Sequence, residues 1–382
     1  MISNISLINF KCFSRESIPL GKLTLLTGLN GMGKSSVIQA ILILAQSMSN
    51  GEHTRGRILT KGKYVDLGTA SDILFDDAKT NSIAIRVSSP TKTATFRMQA
   101  TSSHQPNTKY TRKNIFNHLK FEELEEALFP QKSSDSCIAK FQYLQAERNG
   151  PRKFLPIADD PQGSFEIGSQ GEYVLHLLAL YGTTPFEPHD PRTISADGLR
   201  LTDQTEAWLN LISPGISIQL NTLYDADLIQ PGFSFSTPGN VKSRAYRATN
   251  VGFGISYVLP VIVALLATPV GGIVIIENPE AHLHPQGQTY LGELCARAAK
   301  SGIQVIIESH SDHFMDGIRI AVREKIIAAD DARLHYFYRT GTKTSFKTPL
   351  LDDNGRLSEW PEGFNDQHRR NAVQLIKPLP KD

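Results

Sequence analysis

The sequence predicts an α/β fold, and three observations carry that prediction. A short β-rich run at 23–27 (LTLLT) leads straight into a glycine cluster and then into a stretch at 35–47 where apolar residues continue over about three turns without Gly or Pro, which reads as a buried helix. A fully apolar segment at 272–277 (GIVIIE) ends in an acid. A second strand-like segment at 303–309 (IQVIIES) follows it after a helical stretch around 286–300. Strands that are apolar at nearly every position are buried on both faces, as in a parallel sheet covered by helices.

The chain of 382 residues suffices for one large domain or two to three ordinary ones. Lys and Arg total 40 against 38 Asp and Glu, a net charge of +2, with 40% hydrophobic and 20% charged residues. That balance excludes a disordered or collagen-like chain and disfavours polyanion binding driven by net charge. Cys12, Cys137 and Cys295 form no CxxC pair, so neither a disulfide framework nor a cysteine zinc site is expected, and a reducing cytoplasm fits best. The N-terminus MISNISLINFKCF lacks the pattern of a signal peptide. The longest apolar stretch, 255–267, contains Ser256 and Pro260 and is shorter than the roughly 20 residues of a membrane span. A soluble chain with no membrane contact is expected.

In order along the chain, 2–10 alternates as a strand, 23–27 is a second, and 35–47 is helical. Residues 82–89 and 93–100 alternate around Pro90 as an antiparallel hairpin, or flap. A polar insertion at 101–135 includes a short amphipathic helix at 121–129. Residues 138–146 read as a strand, and 172–182 and 206–212 as helices of a helical subdomain. The helix at 257–267, the strand at 272–277, the helix around 286–300 and strands at 303–309 and 334–339 complete the pattern. No heptad run supplies a coiled-coil arm. The expected divisions are an N-terminal lobe at 1–100, the insertion at 101–135, the helical subdomain at 136–249, a second lobe at 250–345 and a C-terminal extension at 346–382.

Residues 28–35, GLNGMGKS, satisfy G-x-x-x-x-G-K-[ST] between a strand and a helix. Glycines let backbone N–H groups wrap phosphates, the helix N-terminus adds positive potential, Lys34 reaches the β- and γ-phosphates and the Ser35 hydroxyl can ligate Mg²⁺. The nucleotide-binding candidates are Asn30, Gly31, Gly33, Lys34, Ser35 and Ser36. The acidic strand end supplies Glu277, expected to hold Mg²⁺ or its water, and Glu280, expected to orient and deprotonate the attacking water. His282, His284, His310 and His313, with Asp312, are also compatible with a metallohydrolase ligand set. The phosphate loop accounts for His310 more economically, as a γ-phosphate sensor, with the other three histidines packing or capping.

GLNGMGKS, GIVIIENPEAHLHPQGQ and VIIESHSDHF, in this order, resemble the Walker A, Walker B and switch-histidine segments of ABC-type ATPases of the SMC/RecF/OLD-like branch. Residues 64–75, 141–152, 167–178, 250–266 and 360–367 resemble a compact bacterial group of these ATPases without a coiled-coil arm. The resemblance implies a P-loop ABC-type ATPase head that binds ATP and Mg²⁺ and works as a head-to-tail homodimer. Each nucleotide would lie between one subunit's phosphate loop and the other's signature segment. On the matching positions, Glu277 is the magnesium-side acid, Glu280 and His310 are catalytic, and Asn250, Gly252, Gly254 and Ser256 form the signature that acts in trans. Gly252 stands where the commoner signature has serine, and Glu277 where the usual residue is Asp, which implies slow hydrolysis. Gln39, Gln142 and Gln145 are candidates for the family's Q-loop glutamine.

Dimer closure is expected to gate a separately encoded effector, a nuclease or toxin, on DNA or nucleoprotein in bacterial anti-phage defence. The alternative is an ATP-dependent clamp or scaffold in DNA maintenance. DNA-cutting OLD-like relatives carry an appended toprim domain, for which too little chain follows His310, and Asp352 and Asp353 read as a turn. Lys242, Arg244 and Arg247, and separately Arg148, Arg152 and Lys153, are candidate nucleic-acid contacts. Residues 360–364 are expected to form a hook packed near the ATPase core.

Overall fold

The computed structural model describes residues 1–49, 57–100, 107–109, 137–159, 165–195, 198–237, 241–341, 343–361 and 367–376. The expected helix at 121–129 lies outside them. Along the chain run β1 (Asn4–Phe10), β2 (Phe13–Pro19), β3 (Leu23–Gly28), α1 (Lys34–Ser49), β4 (Arg57–Leu59), β5 (Ser82–Ser88), β6 (Thr93–Gln99) and β7 (Asn107–Lys109). Then come β8 (Phe141–Leu144), β9 (Leu155–Pro156), α2 (Val174–Tyr181), α3 (Leu201–Ile212), β10 (Ile216–Leu223), β11 (Leu228–Thr237), β12 (Val241–Lys242), β13 (Tyr246–Arg247) and α4 (Phe253–Ala267). The remainder is β14 (Ile273–Glu277), α5 (Pro285–Lys300), β15 (Gln304–Glu308), α6 (Asp312–Arg323), β16 (Ala332–Thr340), β17 (Lys343–Lys347) and α7 (Gln367–Ile376).

A six-stranded sheet in the order β17-β16-β3-β15-β14-β8 organises the molecule, parallel except for β17. Its central strands are mostly apolar because both faces are covered, and their polar residues Thr24, Thr27 and Gln304 are buried. Ile273, Ile275 and Ile306 pack on the α1 side with the antiparallel sheet β2-β1-β5-β6, while Val274, Ile276, Val305 and Ile307 pack against α2 to α6. Gln304 ties the two sheets together. Its side chain accepts from the Ile2 N–H at 2.8 Å and donates to the carbonyls of Ile2 at 2.6 Å and Gly21 at 3.0 Å.

Several expectations are revised. The 82–99 hairpin is present, but it extends β1 and β2 into a four-stranded antiparallel sheet. Strand β2 and helix α6 were not anticipated: FSRESIP carries Arg15 and Glu16, and the continuous apolar face of α6, formed by Phe314, Met315, Ile318, Ala321 and Val322, is dispersed in sequence among charged residues. The segment 136–249 holds two helices as expected, yet also the long hairpin β10-β11, and its β8 belongs to the six-stranded sheet. A boundary at 136 therefore cuts through the central sheet. Of the expected hook at 360–364, residues 362–364 lie outside those described; Pro361 is buried, and Trp360 is 40% exposed with its ring 5.2 Å from the Arg319 guanidinium of α6.

His335 on β16 joins three segments. Its Nε2 lies 2.7 Å from the Pro19 carbonyl, which can only accept, so Nε2 carries the proton and Nδ1 accepts from the Thr348 hydroxyl at 2.7 Å. Burial pushes its pKa down from 6.5 to about 4. The unfolded chain therefore binds the proton more readily, and stability falls as pH drops from about 6.5 toward 4. Between pH 7 and pH 5 this group is expected to remove about 2 kcal/mol in urea unfolding. A His335→Gln variant should lose that part of the slope; an unchanged slope would contradict the assignment.

Candidate nucleotide site

The carboxyl ends of β3, β15 and β14 lie side by side, and sheet register decides what meets there. Leu26 pairs with Glu308 and Glu308 pairs with Glu277. Alternation along each strand then sends both acids to the side of Ile275 and Ile306, which is the face α1 covers. Strand β3 continues into the glycine loop, so the loop, the start of α1 and two carboxylates converge on one edge.

The loop's backbone has the required form. Gly28, Gly31 and Gly33 have φ of 133°, 74° and 94°, a region that favours glycine. A Cβ at Gly33 would sit 2.7 Å from Cys12 Sγ and 2.9 Å from the Phe13 ring, so the turn between β1 and β2 backs the loop directly. Asn30 and Gly31 are exposed, and a Cβ at Gly31 would meet open space. Ser36 accepts a long bond from the Cys12 thiol at 3.8 Å.

Lys34 is 2% exposed and donates to the carbonyls of Gly28 at 3.1 Å and Leu29 at 2.8 Å, with Glu308 Oε1 at 3.7 Å. Ser35 donates to Glu308 Oε2 at 2.8 Å. Burial lowers the Lys34 pKa against the opposing pull of Glu308, and burial raises that of Glu308. Glu308 was not singled out from the sequence; as the last residue of an apolar strand it resembled any strand-end acid.

Glu277 Oε1 accepts from the Tyr143 hydroxyl at 2.9 Å. Burial, and secondarily the charge of Glu308, pushes the Glu277 carboxyl up to about 7. Burial also raises Glu280, whose Oε1 accepts from the His310 N–H at 3.0 Å. The His310 imidazole is held below its ordinary pKa by burial and by Lys34 and interacts with the Gly28 backbone, which places it beside the phosphate loop. Among the described residues, four buried side-chain polar atoms lack a partner, and two of them, Asn278 Oδ1 and Glu280 Oε2, sit in the loop after β14. Buried acceptors without a protein donor fit a site that takes a polar guest. The donor set of Ser35 hydroxyl, Glu277 and Glu308 is all oxygen, the chemistry that suits Mg²⁺.

Arg148, expected among surface basic residues, is 3% exposed. Its guanidinium donates to four carbonyls, those of Gln145 at 3.0 Å, Tyr257 at 3.2 Å, Glu277 at 2.7 Å and Asn278 at 2.8 Å, and stacks over Tyr257 at 5.2 Å. It is committed to joining β8, α4 and the loop after β14, and it is withdrawn as a nucleic-acid contact. Lys242, Arg244 and Arg247 are exposed, with Arg244 lying over the Tyr246 ring. Gln142 is buried on the carbonyls of Ala139 and Phe165 and on Ile167 N–H, and Gln39 accepts from Lys11. Gln145 directly follows β8, and its side chain donates to the Glu147 carbonyl at 3.0 Å.

The signature candidates occupy the start of α4. Asn250 and Gly252 are exposed, Gly252 caps the helix, and Phe253 is 48% exposed. Gly254 lies against the His282 carbonyl, and His282 packs edge-on to Phe253 and Tyr257 at 4.7 and 4.6 Å. His284 caps α5 through Gln286 N–H, and His313 is exposed. The histidines thus separate into different environments, and among the described residues no group of three His, Cys, Asp or Glu side chains is placed to hold a metal.

Comparisons with known proteins agree with this geometry. A family model described as "AAA ATPase domain" matches residues 1–155, and one described as "AAA domain, putative AbiEii toxin, Type IV TA system" matches 224–316. These matches support a likeness to ABC-type ATPases of the SMC/OLD-like kind. A third family model, "Protein of unknown function (DUF3696)", matches residues 327–375. An OLD nuclease of Thermus scotoductus is 24% identical over 357 residues, covering 83% of this chain. The chain spans 60% of the length of that curated relative. An SMC head bound to the C-winged helix domain of ScpA superposes with a TM-score of 0.53 at 13% identity, over 92% of this chain and 98% of that one. An SMC head with an extended coiled coil, bound to the C-terminal domain of ScpA derived from Pyrococcus furiosus, does so with a TM-score of 0.51 at 12% identity, over 98% and 99%. Among the described residues no helix is long and apolar enough to cross a membrane.

Lys34→Ala is expected to abolish ATP binding in a fluorescent-nucleotide titration while the protein stays folded; retained binding would refute the phosphate-loop assignment. Arg148→Met leaves four carbonyls without their donor and is expected to cost about 3 kcal/mol or more in urea unfolding. A variant as stable as the parent would show that these bonds do not hold the site together.

Proposed function

We propose that this chain hydrolyses ATP in a head-to-tail homodimer and that ATP-driven closure gates a separately encoded effector. The observation that carries the reading is the convergence of Lys34, Ser35, Glu277, Glu280 and His310 on one sheet edge, while Asn250 and Gly252 of the signature segment stand exposed at the start of α4. On this reading residues 28–36 bind the phosphates. Ser35 and Glu277 hold Mg²⁺, which when bound neutralises phosphate charge. Glu280 takes a proton from the attacking water, a role suited to a buried acceptor whose second oxygen has no protein partner. His310 senses the γ-phosphate. Asn250, Gly252, Gly254 and Ser256 of a second copy close over the nucleotide, with the N-terminus of α4 supplying positive potential.

The effector assignment is supported by the kind of proteins this chain resembles. A similar SMC head binds the winged-helix domain of ScpA, and the curated relative is a nuclease. We take the effector to be a nuclease or toxin acting on DNA or nucleoprotein in anti-phage defence in the cytoplasm. The exposed Lys242, Arg244 and Arg247 are the nucleic-acid contacts on this reading. Replacing all three is expected to flatten the salt dependence of DNA affinity.

Glu280→Gln is expected to bind ATP, to lose turnover by at least about a hundredfold, and to accumulate as a dimer. Mass photometry with and without ATP, alongside phosphate release, checks this. Turnover at the parent rate would exclude Glu280 as the base, and an ATP-bound monomer would exclude nucleotide-driven dimerisation. The trapped variant is also the bait for recovering the effector from the native host.

A further inference from the structure

We propose that Glu308 is a positioning residue of the nucleotide site whose negative charge makes ATP binding depend on the divalent ion. The proposal rests on the reading of residues 28–36 as an ATP site and adds a residue that neither the motifs nor the comparisons assign.

Glu308 is 6% exposed, and both of its oxygens face the phosphate loop, Oε2 taking the Ser35 hydroxyl at 2.8 Å and Oε1 facing Lys34 Nζ at 3.7 Å. These are the two side chains that a nucleotide and its metal ion require. Glu308 is also paired in register with Glu277, so two carboxylates stand on the α1 side of adjacent strands opposite a single ammonium, Lys34. Arg148 does not redress the balance here, because its donors are committed to backbone carbonyls. Glu308 is buried and Glu277 half-buried, so the pair is poorly screened by water.

Electrostatics then gives the two forms of ATP opposite treatment. A phosphate chain without a divalent ion must compete with Glu308 for Lys34 and Ser35 and adds negative charge beside two acids. The same chain carrying Mg²⁺ brings positive charge to an electronegative edge. A charge at this range changes an equilibrium by roughly ten- to a thousandfold in either direction. Glu308 therefore weakens metal-free binding and strengthens metal-dependent binding, and the effect belongs to its charge. A role limited to holding the loop's shape would act equally on both.

The test is a titration of the full chain with a fluorescent ATP analogue, once in excess EDTA and once in Mg²⁺, for the parent, Glu308→Gln, Glu308→Asp and Lys34→Ala. Glutamine preserves an acceptor for Ser35 and removes the charge. It is expected to bind metal-free ATP more tightly than the parent and to lower the ratio of Mg²⁺ to EDTA affinities by at least about tenfold. Glu308→Asp, which keeps the charge, should retain most of the ratio. Mn²⁺ binding in the presence of nucleotide, read by electron paramagnetic resonance, should weaken in Glu308→Gln without reference to turnover. Should the glutamine variant not fold, Glu308→Thr carries the same comparison. A neutral variant with an unchanged ratio, or one weakened equally in both conditions, would overturn the proposal. A parent and a Lys34→Ala variant that both fail to bind ATP would instead refute the underlying reading, and the role of Glu308 with it.

Discussion

The register of three parallel strands is the constraint on which the rest of the structure depends. With Leu26 opposite Glu308 and Glu308 opposite Glu277, the phosphate loop and both acids reach the same edge at the same height. The side-chain period of two makes this exact pairing necessary, because a slip of one residue would send either acid to the opposite face, among Val274, Ile276, Val305 and Ile307. The apolar runs of β14 and β15 therefore do two things. They bury the sheet from both sides, and they fix where its polar ends emerge.

Around that edge the fold keeps several charged groups in poor contact with water, and specific contacts hold them there. Tyr143 fixes Glu277, the His310 N–H fixes Glu280, and Ser35 and Lys34 meet Glu308. The scaffold behind them is rigid. Cys12 and Phe13 back Gly33, the Phe337 backbone closes against Gly28, and Arg148 joins three segments through four carbonyls. Buried acids raised in pKa are a burden on stability, and their collection at one edge is what a site prepared for a cation and phosphates demands.

Much of this was legible in the residues. Strand β3, helix α1 and strands β14 and β15 have dominantly apolar patterns, and the loop motif names its own chemistry. What escaped has physical causes. Strand β2 is an edge strand whose consecutive Arg15 and Glu16 fall on opposite faces, so its alternation is weak, although its turn supports the phosphate loop. The hairpin β10-β11 lies on the surface with mixed polarity, and the intervening strands gave no local signal of their pairing. Arg148 looked like a surface base because burial of a guanidinium is a tertiary fact: its acceptors lie in the Gln145 turn, α4 and the end of β14. Glu308 was missed for the same reason, since its importance comes from register with β3 and β14.

One edge of one chain brings together residues 28–36, Glu277, Glu280 and Glu308, whereas Gly252 stands exposed at the start of another helix, with Gly254 half-buried behind it. The central claim is that two copies complete each other's site. Mixing two inactive variants tests it most directly: Lys34→Ala, which spoils only the phosphate loop, and Gly252→Asp, which places a bulky anion in the signature. If the sites are shared head to tail, ATP hydrolysis absent from either variant alone returns on mixing, because the heterodimer contains one intact loop facing one intact signature. A mixture as inactive as its components, or a Gly252→Asp variant that hydrolyses ATP like the parent, would contradict the account.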